Sequence, residues 1–255
     1  MTIYELFVLA VGIAASAIVK NGAAVGSGIF LVPVLALVFP PKIALGLSAP
    51  AMLASDIMGL RNYWGEWRAK KDVFRMIGAG SIGIFIGAYF ISVIPANLFK
   101  IGLGVFAVVF SLYQLVKDAH FLRRPQPALS STDKTKITTL MSWVPIGILG
   151  GLATVLANAG GVIWGTYFLG KKLDNRCLVG SLILLFAMSN LIKMFTYMKL
   201  GILNMKSILI VLCMTPVVII SSNLGNKMNK SISPEMFRKI VLVLILVVGV
   251  NLIIA

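Results

Sequence analysis

Three ionisable side chains lie inside stretches that are otherwise apolar: Lys20, Asp56 and Lys193. A charge in such a place is costly, and within a membrane it marks an ion or substrate path. Lys20 opens the run KNGAAVGSG, residues 20–28, which carries Gly22, Gly26 and Gly28. Glycine inside a helix costs about 1 kcal/mol against alanine, so glycines this dense stop a helix. A second break, ANAGG at Ala157–Gly161, separates the apolar runs Ile146–Leu156 and Val162–Leu169. A helix restarting after a break presents unpaired N–H groups and roughly +0.5 charge, which is the chemistry of an anion site. Asn21, Gly26, Ser27 and Gly28 stand in the first break, and Asn158, Gly160 and Gly161 in the second. Ser27 and Asn158 are placed to cap the restarted helices or to present donors, and Lys20 adds a full positive charge. The competing readings are close helix packing for the glycines and snorkelling to an interface for Lys20.

Asp56 is the one acidic residue of eight that falls within an apolar pass. It is placed either to carry a coupling proton or to pair with Arg61 near the end of its segment. Ser48, Ser55, Ser189 and Asn190 line a cavity or bond between helices; the two readings stand level. Asn190 and Lys193 join Asp56 as candidates for coupling or gating. For Lys193 itself, reaching outward to an interface is the favoured reading over a second cationic group in the site. Trp164 and Tyr167 read as packing. An intramembrane enzyme would need paired carboxylates, a histidine-rich metal cluster or a nucleophile with its base. The chain offers one intramembrane Asp and one histidine, His120, in a loop, while Cys177 and Cys213 fall in apolar runs. No catalysis, metal or cofactor is expected.

The elements that must position these groups are membrane helices. Of the 255 residues, 59% are hydrophobic and 12% charged, with a mean hydropathy of +0.98. A soluble domain carries about 25% charged residues. The apolar passes are Ile43–Leu60, Val73–Ile94, Leu98–Val116, Cys177–Tyr197, Ser207–Leu224 and Phe237–Ile254, beside the broken pairs Ile3–Val19 with Ile29–Val38 and Ile146–Leu156 with Val162–Leu169. A span needs roughly 20 residues. The opening MTIYELFVLAVG lacks a basic leader and reads as structure. The net charge of +15 invites nucleic acid, but the cations lie in loops beside aromatics such as Tyr63, Trp64 and Trp67, as at a membrane interface.

The two halves resemble each other. Gly28 matches Gly161 at an offset of 133, and Gly46 matches Gly180 and Ser55–Asp56 matches Ser189–Asn190 at 134. IPANLFK at Ile94–Lys100 matches SPEMFRK at Ser233–Lys239. The expected division is a first repeat over 1–119, a cytoplasmic linker over 120–137 and a second repeat over 138–255. Lys and Arg gather in the loops at 61–75, 117–136, 171–176 and 227–239, while the opposite loops hold only Lys42, Lys100, Lys199 and Lys206. The positive-inside rule puts the rich loops in the cytoplasm. The Pro95 loop is then outside and its counterpart at Pro234 inside, so the repeats are inverted. The expected fold is an all-α polytopic membrane protein of two inverted-topology repeats, each a broken, re-entrant-like helix hairpin plus three transmembrane helices, with both termini outside. A second leg of about ten residues reaches about 15 Å, near mid-bilayer. Interrupted helices at matching places in two halves are the mark of a secondary transporter's binding site.

GSGIFLVPVLAL at Gly26–Leu37, PKIALGLSAPAML at Pro41–Leu53 and TVLANAGG at Thr154–Gly161 resemble the sulfite exporter TauE/SafE family, the toluene-sulfonate uptake permeases. The resemblance covers nearly the whole chain. It implies a plasma-membrane secondary transporter that exports or takes up sulfite, an organosulfonate or another small anion. It maps the family's first glycine motif to Gly26, Gly28 and Pro33 and the second to Asn158, Gly160 and Gly161, with Thr154 opening the second stretch. The chain departs from the pattern at Ser27 and Val162. The expected partners are the lipid bilayer, a small anion and coupling protons, and not nucleic acid. An anion channel or a carrier of a small carboxylate remains the alternative, since a channel shares the same electrostatics.

Overall fold

Long apolar runs free of helix breakers become helices, because only a helix satisfies its own backbone within lipid. The computed structural model of the protein describes residues 1–23, 27–67, 69–121, 143–171, 173–228 and 234–254, without the side chains of 21–23, 27, 117–121, 175, 226–228 and 234–241. Most of the expected linker lies outside the described residues, which contain no strand. The helices are α1 (Ile3–Ala23), α2 (Leu31–Ala36), α3 (Pro41–Asn62), α4 (Lys70–Val93), α5 (Ala96–Phe121), α6 (Trp143–Ala157), α7 (Gly160–Leu169), α8 (Asn175–Lys199), α9 (Met205–Cys213), α10 (Thr215–Met228) and α11 (Pro234–Ile254). Among the described residues five are long and apolar enough to cross a membrane by themselves, and α9 with α10, bent by 53° at the break between them, is long and apolar enough as a pair.

The single pass expected over Ser207–Leu224 is therefore two helices. Pro216 has no N–H and its ring crowds the preceding turn, which bends the helix just before it. Pro50, by contrast, sits inside α3 without dividing it. The second leg of the first break is also shorter than expected: a 3-10 turn at Ser27–Phe30 precedes the six residues of α2.

The packing pairs α3 with α8, α5 with α11, α4 with α6 and α1 with α10. Exchanging the halves maps the first two pairs onto themselves and the last two onto each other. Asn190 and Asp56, equivalent positions 134 residues apart, are joined by a 2.7 Å hydrogen bond. Glycines bring α4 and α6 into backbone contact: a Cβ at Gly83 would overlap the Ile148 carbonyl, and one at Gly151 the Gly80 carbonyl. Such small-residue seams are how helices associate in lipid, where burial offers no drive. Around the outside, Phe74, Phe85, Tyr89, Leu98, Val109, Tyr113, Leu209 and Ile220 are all exposed. Apolar surface on this scale needs a lipid partner.

The loops at 61–75 and 171–176 lie on one side of the molecule. Asp72 pairs with Lys171 at 3.0 Å and Glu66 with Arg176 at 3.1 Å, and the Arg176 guanidinium lies 5.7 Å from the Tyr63 ring. Burial works against the Lys171 charge, but the Asp72 carboxylate and the Tyr167 hydroxyl outweigh it and hold the amine above its usual range.

Candidate functional site

The two breaks meet. A Cβ at Gly28 would stand 2.5 Å from the Asn158 carbonyl oxygen and 2.9 Å from the Asn158 Cβ, so only glycine fits. Asn158 itself adopts the left-handed region, with φ 52, a conformation asparagine tolerates better than most residues. Its N–H still bonds the Thr154 carbonyl at 3.1 Å. This one residue lets α6 end at Ala157 and α7 start at Gly160.

Helices α3 and α8 bring side chains to this junction. Ser48, Met52 and Asp56 recur every four residues along one stripe of α3, and Phe186, Asn190, Lys193 and Tyr197 follow at steps of four, three and four along one stripe of α8. Asp56 is fully buried and paired with Lys20. Lys20 Nζ also donates to the Met52 carbonyl at 3.4 Å and stands 5.7 Å from the centre of the Phe186 ring. Asn190 Nδ2 donates to Asp56 Oδ2 at 2.7 Å, while Asn190 Oδ1 is buried with no partner among the described residues. Lys193 donates to Asn158 Oδ1, Asn158 Nδ2 to Ser48 Oγ at 3.2 Å, and Ser48 Oγ to the Leu45 carbonyl at 2.7 Å. Tyr197 completes the stripe by donating to the Val155 carbonyl at 2.9 Å, which ties α8 to the last turn of α6.

Beside this network lies a small, partly open cleft. It is lined by Lys20, Gly28, Met52, Thr154, Asn158, Gly161, Phe186 and Asn190. Among the described residues the buried charged side chains are Lys20, Asp56 and Lys193. Asp56 answers one lysine. The second, Lys193, has a neutral amide for its partner. With all three ionised, the junction carries one positive charge more than it compensates, and a buried charge without a counter-charge is costly.

Several expectations for these residues change. Asp56 does not pair with Arg61, which is exposed; five residues along a helix the two lie on different faces. Lys193 does not reach outward but is fully buried. Lys20 is not in the break itself: α1 continues to Ala23 and places Lys20 in its last turn, 8% exposed, which is not the position of a snorkelling side chain. Asn158 does not cap α7, whose first turn has no side-chain cap. Gly160 faces α6 within its own hairpin, where a Cβ would stand 2.7 Å from the Gly150 carbonyl, and it does not line the cavity. Gly26 lies outside the described residues, as do the side chains of Asn21 and Ser27. Trp164 is fully buried among α4, α6, α7 and α8. Met52 and Phe186 were missed. The helical stripes through Asp56 and Asn190 contain both, and the repeat offset of 134 makes them equivalent to each other.

The profile of a family described as sulfite exporter TauE/SafE matches residues 8–252. Over 96 residues the chain is 30% identical to the probable membrane transporter protein YtnM of Bacillus subtilis (strain 168); the match covers 38% of this chain and 29% of that protein. No solved structure matches.

Proposed function

Since the chain belongs to the sulfite exporter TauE/SafE family of membrane transporters, we propose that it is a secondary transporter of a small sulfur-containing anion, sulfite or an organosulfonate. The anion occupies the cavity where the two helix breaks meet. The observation that carries this reading is the buried charge there: two lysines against one carboxylate, at a place in the bilayer where an excess charge calls for a ligand. Gly28 and Gly161 allow the backbone to approach the anion, Thr154 and Asn158 present polar side chains to it, and α7 starts beside it with its positive end. An intramembrane enzyme has no support in these groups.

Alternating access is the mechanism this reading implies. Lys20 and Asp56 belong to the first half and Asn158, Asn190 and Lys193 to the second, so relative movement of the halves remakes the site. On the side of the basic loops, the Asp72–Lys171 and Glu66–Arg176 pairs bridge the two halves and must part when that side opens.

The test is thermal stabilisation of the purified protein by a panel of sulfite, sulfonates and carboxylates. An anion at a hundred times its Kd stabilises by about 2.7 kcal/mol. The expected result is a rise in Tm with the sulfur anions; no rise with any member of the panel overturns the reading. Saturation and counterflow in proteoliposomes separate a carrier from a channel.

Asp56 is the buried carboxylate available to carry a coupling proton. In Asp56→Asn protein, transport is expected to lose much of its response to a pH gradient while a sulfonate still binds. An unchanged response assigns Asp56 to structure alone.

The basic loops are placed in the cytoplasm and both termini outside. A cysteine introduced at Pro125 is expected to resist an impermeant thiol reagent in intact cells and to react once the membrane is opened. Reaction in intact cells reverses the orientation.

A further inference from the structure

We infer that Asp56 sets the valence of the anion: the site takes singly charged anions and rejects doubly charged ones. The inference rests on the cavity being an anion site and goes on to say which anions it can neutralise.

Of the described residues, the charged side chains buried in the protein are Lys20, Asp56 and Lys193. Lys20 is committed: it holds Asp56, donates to the Met52 carbonyl and faces the Phe186 ring. Lys193 is bonded to the amide oxygen of Asn158, a residue that lines the cavity. With all three ionised, the buried charges sum to one positive. A monoanion beside Asn158 brings the region to zero. A dianion leaves one negative charge, with the Asp56 carboxylate adding its own repulsion from across the cavity wall. In a region of low dielectric, either imbalance is far more costly than in water. Discrimination thus comes from the unmatched charge rather than from the shape of the pocket, and it works against the wrong ligand as repulsion does at other specific sites.

The inference also explains the pairing of Lys20. Without Asp56, the two lysines together would neutralise a dianion. With it, one lysine is removed from the count while its side chain stays at the cavity. Asp56 is a specificity-determining residue that acts through Lys20; Asn190, bonded to the other carboxylate oxygen, holds it in place.

The experiment measures binding of two probes to the purified full-length protein at one pH: methanesulfonate, which carries a single charge, and sulfate, which carries two. Wild type, Asp56→Asn and the double variant Asp56→Asn/Lys20→Met have buried charge sums of one, two and one. Wild type is expected to prefer methanesulfonate by at least about tenfold, Asp56→Asn to move the ratio at least about tenfold towards sulfate, and the double variant to return it. A ratio indifferent to Asp56→Asn, or left shifted in the double variant, overturns the inference and leaves the anion site standing. Binding of neither probe by wild type overturns the anion site itself, and the inference with it. Where Asp56→Asn yields no monodisperse protein, Lys193→Met serves, with a sum of zero. Methanesulfonate affinity is expected to fall at least about tenfold in that variant, and undiminished affinity overturns the inference.

Discussion

Gly28→Val protein is expected neither to bind an anion nor to transport one, and to lose at least about 3 kcal/mol of stability. The added Cβ would meet the backbone of Asn158 at 2.5 Å from its carbonyl oxygen. That backbone has little freedom to give. Asn158 is held at φ 52 by its N–H bond to Thr154, and its side chain is engaged on both sides by Lys193 and Ser48. Relief therefore requires the two breaks to move apart, which dismantles the cavity between them. Gly28→Ala makes the same first contact and is expected to show the same defect in milder form. Gly102→Ala is the control: nothing lies within 4 Å of its added methyl, and alanine there is expected to be neutral or to stabilise by about 0.5–1 kcal/mol. The measurements are Tm and anion uptake in proteoliposomes. Wild-type stability and uptake in Gly28→Val would mean that the breaks do not touch.

The second large effect is at Lys20. Lys20→Met is expected to lower anion affinity by about 1.5–3 kcal/mol, the worth of a charge-assisted hydrogen bond. The sequence by itself suggests little harm to the fold from this change. The structure alters that, because Asp56 is fully buried and Lys20 is its ion partner. Removing one member of a buried pair costs about 3–5 kcal/mol, since the other is left charged and alone. A double-mutant cycle separates the two effects. Asp56→Asn added to Lys20→Met is expected to recover most of the stability, and with it the part of the affinity lost to the unpaired Asp56 charge, but not the part that came from the Lys20 hydrogen bond to the anion. If the double variant is as unstable as Lys20→Met alone, the pair is not what holds α1 against α3.

The breaks were legible in the sequence because glycines interrupt the apolar runs there, although glycine clusters do not always stop a helix: Gly80, Gly83, Gly150 and Gly151 stand inside unbroken helices and serve close packing. The spans followed from hydropathy, with ends within a few residues of those found. The bend between α9 and α10 was missed although Pro216 signalled it; the apolar run through Ser207–Leu224 hid the break, and Pro50 shows that a proline in a pass does not always make one. The partner of Asp56 was not legible. Reading along one helix offered Arg61, whereas the true partner comes from α1, 36 residues away in sequence. Lys193 was misread for a related reason. It lies six residues from the end of α8, within reach of an interface, and only packing against the second break shows that it turns inward.

The bond between Asp56 and Asn190 has a consequence for symmetry. The two stand 134 residues apart, the offset at which the two halves of the sequence match, and meet each other directly. In an assembly of two identical halves, whatever stands at this place would face a copy of itself. Two aspartates there would set like charges at hydrogen-bonding distance. Two asparagines would leave Lys20 without its counter-ion. One of each gives an acceptor opposite a donor, and a pair of identical genes cannot supply that combination. Two matching units joined in one chain are free to differ at their point of contact, which two products of one gene are not.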